Sequence, residues 1–369
     1  MGASSSIFEE KIPSHRENNL NLLRFLAALM VIIGHMYHIL GLPVLTLGGQ
    51  AVSTIGVEIF FLISGYLITE SFMRDSNIIR YGLRRFFRII PGLTALILIT
   101  VFVMGPLVTT LGVKEYLLNS NTLFYLRNII LFPVYSLPGV FADNLYPNAV
   151  NGSLWTLIVE VLMYILLPVV LFLGSLLKRR KLIIVLFTLA LVVTRVVLME
   201  FYPTLRIIFY GTSLFDVFTL APYFFVGVLF TFPEVKKILN IQIASILLLS
   251  LFVIQISYVK TEMLMLLVLS YFVFSFAFSP KPAFRKWFFK NDYSYGMYLY
   301  AFPVQQLLAS NHASFQFTFN VYLMLTIGIT FVCAYLSWHV VEKPAQVLGK
   351  WINKSQWIPN TKLLFAKGD

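Results

Sequence analysis

The sequence predicts an all-α polytopic membrane protein of about ten transmembrane helices with both termini in the cytoplasm. Three observations carry that expectation. Of 369 residues, 59% are hydrophobic and 12% charged, about half the charged share of a soluble chain, and the mean hydropathy is +0.82. Ten apolar segments each approach the length a helix needs to cross ~30 Å of hydrocarbon. Threaded with the N-terminus inside, they leave only Lys114, Arg127, Arg195, Arg206 and Lys260 of the 28 basic residues on the outer side, the bias expected of cytoplasmic loops.

In chain order, a polar start, residues 1–19 with Lys11 and Arg16, is read as a cytoplasmic segment and not a cleavable signal peptide. The apolar segments then fall near 20–40, 52–72, 91–111, 152–177, 182–199, 214–232, 238–257, 263–280, 293–310 and 318–340, so that 20–340 reads as one transmembrane domain. The long outward segment 112–151 holds several Pro and Gly around FYLRNIILFPVYSL, interrupted by Arg127 and Asn128. It reads as an interfacial or re-entrant piece. Residues 341–369 form a polar tail with Trp351 and Trp357 among lysines, expected along the inner interface, and Pro344 is expected to end the last helix. The charge of +12 is thereby explained by topology, with membrane lipids as the partner and no nucleic acid. Cys333 lies alone in an apolar run, which excludes an intramolecular disulfide and a cysteine metal cluster.

The apolar runs are not electrically silent. NLLRFLAALMVIIGHMYHIL carries Arg24 and His35. Eleven residues at ~100° each bring both side chains onto one helix face, roughly 16 Å apart along the axis. Ionisable groups at membrane depth cost about 3 kcal/mol or more and mark polar cavities. His35 and Glu58 lie at similar depth near the outer ends of adjacent spans, where an imidazole and a carboxylate can form a general-base pair. A buried hydrogen-bonded pair serving only helix packing has the same signature. His38 makes an H-x-x-H pair with His35, but no carboxylate cluster stands at ligand spacing and no metal site is expected. In RYGLRRFFRIIPG, Arg84, Arg85 and Arg88 precede Pro91, read as a helix start whose amides and guanidiniums suit a phosphorylated ligand. Anionic lipid headgroups would suit them too. Glu160 sits in mid-hydrocarbon after Trp155 and needs a proton or a partner such as an arginine.

In this order the segments resemble the membrane-bound acyltransferase-3 family over nearly the whole chain. The resemblance rests on R-x10-H at Arg24 and His35, GVEIFFLISGYL with Glu58, Ser64 and Gly65, RRFFRIIP with R-x-x-R at Arg85 and Arg88, SLWTLIVE with Trp155 and Glu160, YSYGMYLYAFP with Tyr295 and Gly296, and S-x4-E-x-P at Ser337, Glu342 and Pro344. Ala301 stands where many members have a histidine, so a second histidine has no role there. The resemblance implies a stand-alone, multi-pass enzyme of the inner (plasma) membrane. It implies transfer of an acetyl group from cytoplasmic acetyl-CoA, a substrate and not a resident cofactor, to a hydroxyl of an extracytoplasmic saccharide or lipid-linked glycan such as O-antigen, capsule or exopolysaccharide. On that footing Arg85 and Arg88, helped by Arg84, would hold the CoA phosphates and Arg24 would orient the donor. His35, with Glu58, would act as general base or transient acyl carrier. A transporter of a lipid-linked saccharide, using the buried charges as a proton relay, is the alternative from another class.

Overall fold

The computed structural model describes residues 18–251, 258–279, 291–310 and 318–354, with side chains of 258–261 left aside. Ten principal helices run through them: α1 Leu20–Ile39, α2 Val52–Arg74, α3 Ile78–Val108, α4 Trp155–Leu176, α5 Arg180–Phe201, α6 Leu214–Leu229, α7 Ile241–Ser250, α8 Tyr258–Ala277, α9 Ser294–Ser310 and α10 Phe319–Lys354. Each apolar segment of the sequence meets one of them. Six, α1 to α5 and α10, are long and apolar enough to cross a membrane, and the chain is a membrane protein built mainly of helices, with two short β-ribbons among the described residues, Thr46–Leu47 with Gln50–Ala51 and Ile208–Phe209 with Thr212–Ser213. Of the remaining four, α6, α7 and α9 are shorter, at 16, 10 and 17 residues, and α8 is apolar over its Glu262–Ala277 part.

The helix α2 is the axis of the bundle. In its most apolar stretch 78% of residues are buried, against 22% for α5, and it packs on both α1 and α6. Small residues make this possible, because helices in lipid associate by close packing and not by a hydrophobic drive. A Cβ on Gly65 would run into the backbone of Phe224, and one on Gly227 would meet the carbonyl oxygen of Leu62, so α2 and α6 touch backbone to backbone. Apolar side chains that such helices turn outward, Leu107, Phe201 and Met324 among them, are exposed, as lipid-facing residues are.

Two local expectations need correction. First, α3 begins at Ile78, where the Asn77 side chain caps the amides of Ile79 and Arg80 (3.1 and 3.0 Å). Pro91 lies inside the helix, so Arg84, Arg85 and Arg88 project from its flank and no free N-terminal amides accompany them. Inside a helix proline removes the bond to the carbonyl four residues earlier, here that of Phe87, a loss tolerated in membrane bundles where neighbouring groups satisfy the backbone; separately, the carbonyl of Ile89 accepts from the Tyr295 hydroxyl at 2.8 Å. Second, Pro344 does not end the last helix: a π-helical turn at Trp338–Glu342 continues into Lys343–Lys354, whose Gly349 lies against Phe87 of α3. Trp357 and the lysines beyond fall outside the described residues. Arg195, counted on the outer side within the segment 182–199, lies near the end of α5 and is buried there. Residues 113–130 break into short helices, Val113–Leu118, Ser120–Phe124 and the 3₁₀ segment Tyr125–Ile130, pinned by Tyr116 donating to the Val101 carbonyl at 3.0 Å.

Substituting valine at Gly65 or Gly227 forces α2 and α6 apart. Each change should cost about 1–3 kcal/mol or more, read as a lower melting temperature in detergent, while a surface change such as Leu107→Val leaves it unmoved.

Candidate active site

Two cavities lie along the bundle axis. The first, about 80 Å³, is lined by Arg24 of α1, Ser64 of α2, Arg85 and Arg88 of α3, Glu160 and Tyr164 of α4, and Tyr295 of α9. The second, about 600 Å³, is lined by His35, Glu58, Trp155, Arg195, Glu262 and Phe302 among others, a volume within the range of small-molecule sites. Arg24 and His35 thus stand at opposite ends of one helix face, each facing a cavity of its own.

At the arginine end an unforeseen carboxylate organises the cluster. Asp292, just before α9, accepts on one oxygen, Oδ2, from Arg24 at 2.5 Å and from Arg88 at 2.6 Å. Its other oxygen takes the Ser294 hydroxyl at 2.5 Å. Arg88 also pairs with Glu342 at 3.5 Å and lies over the Tyr295 ring at 5.3 Å; Glu342 accepts from Ser337 at 3.0 Å. The motif residues Tyr295, Ser337 and Glu342, scattered over the last two spans in sequence, therefore form the seat of one arginine. Burial pushes the Asp292 carboxyl up, but the two guanidiniums and Ser294 outweigh it and hold the group down at about 2.

The remaining arginines divide. Arg84 is held by Asp75, side chain at 2.7 Å and backbone carbonyl at 3.0 Å, and does not line the cavity, against the expectation that it assists Arg85 and Arg88. Arg85 lines the cavity with its guanidinium 5.8 Å from the Tyr164 ring centre and its Nε without a partner. No carboxylate pairs with it among the described residues. Glu160, for which an arginine was an expected partner, is instead held by hydroxyls: Ser64 donates to its Oε1 at 3.0 Å, and Tyr164 donates to the same oxygen.

At the histidine end the expected His–carboxylate pair is absent. Glu58 Oε1 accepts from Gln50 at 2.7 Å and lies 3.7 Å from Arg195. Arg195 in turn pairs with Glu262 and donates to the Thr219 carbonyl. His35 and Glu58 share a cavity wall, but His35 Nδ1 is buried without a hydrogen-bond partner and its ring packs edge-on against Phe302 at 5.3 Å. That leaves Nε2 as the nitrogen towards a ligand, and among the described residues no protein group fixes the tautomer from behind. His38 is occupied by the Gly34 carbonyl at 3.0 Å. Trp155 lines the same cavity where a belt residue would face lipid. Sequence reasoning missed Asp292, Arg195 and Glu262; the last two carried a signal, since each is an ionisable residue at or within an apolar run.

Residues 17–339 match the acyltransferase-3 model, described as an acyltransferase domain. The chain is 30% identical to an O-acetyl transferase of Shigella phage Sf6 over 89% of its own length and 96% of that protein. It is 36% identical to nodulation protein 10 of Rhizobium leguminosarum bv. viciae over 44% of this chain and 46% of that one. It is 26% identical to a Staphylococcus aureus protein bearing an inferred O-acetyltransferase name, over 83% of this chain and 55% of that one. No solved structure matches.

Removing the carboxylate between Arg24 and Arg88 takes away the ion pair of Arg24 and leaves Arg88 with Glu342 alone, so Asp292→Ala should destabilise the fold by about 3 kcal/mol, measured by thermal unfolding in detergent. The pH dependence has a definite sign. The folded-state value lies below the ordinary 3.8, so the unfolded chain takes up the proton first. The contribution is complete above that value and is lost as pH falls towards about 2, and Asp292→Asn should flatten the acid limb of the stability profile.

Proposed function

The chain belongs to the acyltransferase-3 family, and on that premise we propose that it transfers an acetyl group from cytoplasmic acetyl-CoA to a hydroxyl of an extracytoplasmic saccharide across the inner membrane. It is an acyltransferase; the donor, the acceptor and the sidedness are proposed. The observation that carries it is the pair of cavities in line, one bearing a guanidinium without a carboxylate partner and the other an imidazole without a hydrogen-bonded one. Identity over almost the full length of the phage O-acetyl transferase supports the reaction type. Ten passes with both termini inside, the topology the basic residues favour, put the arginine end in the cytoplasm.

A nucleotide carrying several phosphates cannot cheaply enter hydrocarbon, whereas its pantetheine arm can. Arg85 offers the donor phosphates a cation not already spent on a carboxylate, and guanidinium suits phosphate by its fork of donors. Arg24 and Arg88, tied to Asp292, shape the mouth and retain further N–H donors towards an anion. The acceptor hydroxyl oxygen attacks the thioester carbonyl carbon; the C–O ester bond forms as the C–S bond breaks. The hydroxyl proton goes to His35 Nε2 and from there to the departing CoA sulfur. If His35 carries the acetyl group transiently, the same bonds are exchanged in two steps; labelled acetyl on the protein in the absence of acceptor distinguishes this route. Glu58, held by Gln50 and Arg195, supports the wall of the acceptor cavity in this scheme.

The test is acetyl transfer by purified protein in liposomes loaded with glycan acceptor. Glycan crossing the bilayer with no acetyl-CoA consumed would overturn the reading in favour of transport. His35→Ala should lower transfer by about 10²–10⁴-fold with the melting temperature retained. Arg85→Ala should raise KM for acetyl-CoA about tenfold or more, the worth of a charged hydrogen bond, and leave kcat nearly unchanged. Arg84→Ala, whose guanidinium is held away by Asp75, should leave KM where it was.

A further inference from the structure

Only three residues line both cavities among the described ones: Val57 of α2, Thr156 of α4 and Tyr298 of α9. All are buried. The Tyr298 hydroxyl donates to the Ser153 carbonyl at 2.9 Å and shares a 2.5 Å hydrogen bond with Thr156 Oγ1, which also reaches the Ser153 carbonyl at 3.2 Å. The Tyr298 ring packs edge-on against Phe60, which lines the arginine-side cavity, at 5.8 Å between centres. The phenol is thus latched across the bundle from α9 to the first turn of α4, and Val57 completes the wall from α2. Nothing in the transfer chemistry above uses these side chains.

We infer that Val57, Thr156 and Tyr298 form a septum between donor and acceptor cavities that opens for the acyl-bearing end of the donor and sets which acyl length passes. The inference rests on the function proposed above for its substrate; the division of the two cavities does not depend on it. Three consequences follow from its chemistry. The septum is made of one aliphatic and two hydroxyl side chains with no charge, so a small neutral thioester can move past it while nucleotide phosphates cannot. Closed, it keeps water in the roomier cavity from the thioester carbon, where attack would break the C–S bond and release acetate and CoA thiol with no glycan modified. Each methylene added to the acyl group must find room beside Val57 and the Tyr298 ring, and a pocket of this kind discriminates by roughly 10–200-fold per methylene.

Two measurements test it. The first reads the septum without reference to catalysis: in a Cys333→Ser background, Ser64→Cys on the arginine side and Thr54→Cys on the histidine side are labelled in liposomes by a charged, membrane-impermeant thiol reagent supplied from one face or the other. Each thiol should react from its own face only, and adding Tyr298→Ala or Val57→Ala should let both react from both faces. Two-sided labelling with the septum intact, or sidedness unchanged by either substitution, overturns the inference whatever the enzyme does. The second reads selectivity by comparing acetyl-, propionyl- and butyryl-CoA. Val57→Ala should raise the butyryl to acetyl ratio of kcat/KM at least about tenfold. Tyr298→Phe, which keeps the ring and removes the latch, should raise acceptor-independent acetyl-CoA hydrolysis about fivefold, the worth of one hydrogen bond. Wild-type ratios and hydrolysis in both folded variants would overturn the selectivity role. Absence of any transfer by the unaltered protein would instead count against the function proposed, and the labelling result would stand on its own.

Discussion

A single carboxylate oxygen ties the arginine end of the bundle together. Asp292 Oδ2 receives Arg24 from α1 and Arg88 from α3 at once, and Glu342 from α10 reaches Arg88 from the other side. Three helices and the entry to α9 therefore converge on one electrostatic knot. The constraint behind it is general: a charge carried into a helical bundle in lipid needs its counter-charge supplied from inside the bundle, since no water is at hand to solvate it. Arg195 obeys the same constraint at the other end, between Glu58 and Glu262.

What these knots leave over is the functional part of the molecule. With Arg24, Arg88 and Arg195 paired to carboxylates, Arg85 has none among the described residues, and with Glu58 engaged by Gln50 and Arg195, His35 has no carboxylate behind it. The site is assembled by subtraction. Glu160 shows the third solution to the same problem, a carboxyl group held by the hydroxyls of Ser64 and Tyr164 in place of a cation. It keeps a polar group on the donor wall without adding a competing salt bridge to Arg85.

Much of the candidate site was legible as a set of residues, and much less as a set of contacts. The spacing of Arg24 and His35 correctly put them on one face, because helical rotation is fixed by residue number. Depth arguments put His35 and Glu58 at one level, and they do share a cavity wall. Depth gives the axial coordinate only, however, and the azimuth of α2 turned Glu58 towards Gln50 and Arg195 instead. Pro91 misled for a related reason: proline near a polar stretch often opens a helix, but Asn77 caps α3 more than three turns earlier.

By itself the sequence determined that this is a helical membrane protein, roughly where its helices lie, and which family motifs it carries, because hydrophobic length, helical period and motif order are one-dimensional properties. The tertiary structure alone decided that Asp292 is the partner of two arginines 268 and 204 residues away in the chain, that Arg195 is buried, and that the space around the motifs is two cavities divided by Val57, Thr156 and Tyr298. The physical reason is the same in each case. Pairing and enclosure depend on the rotation and offset of one helix against another, and those are set by close packing at small residues such as Gly65 and Gly227, which no single segment encodes.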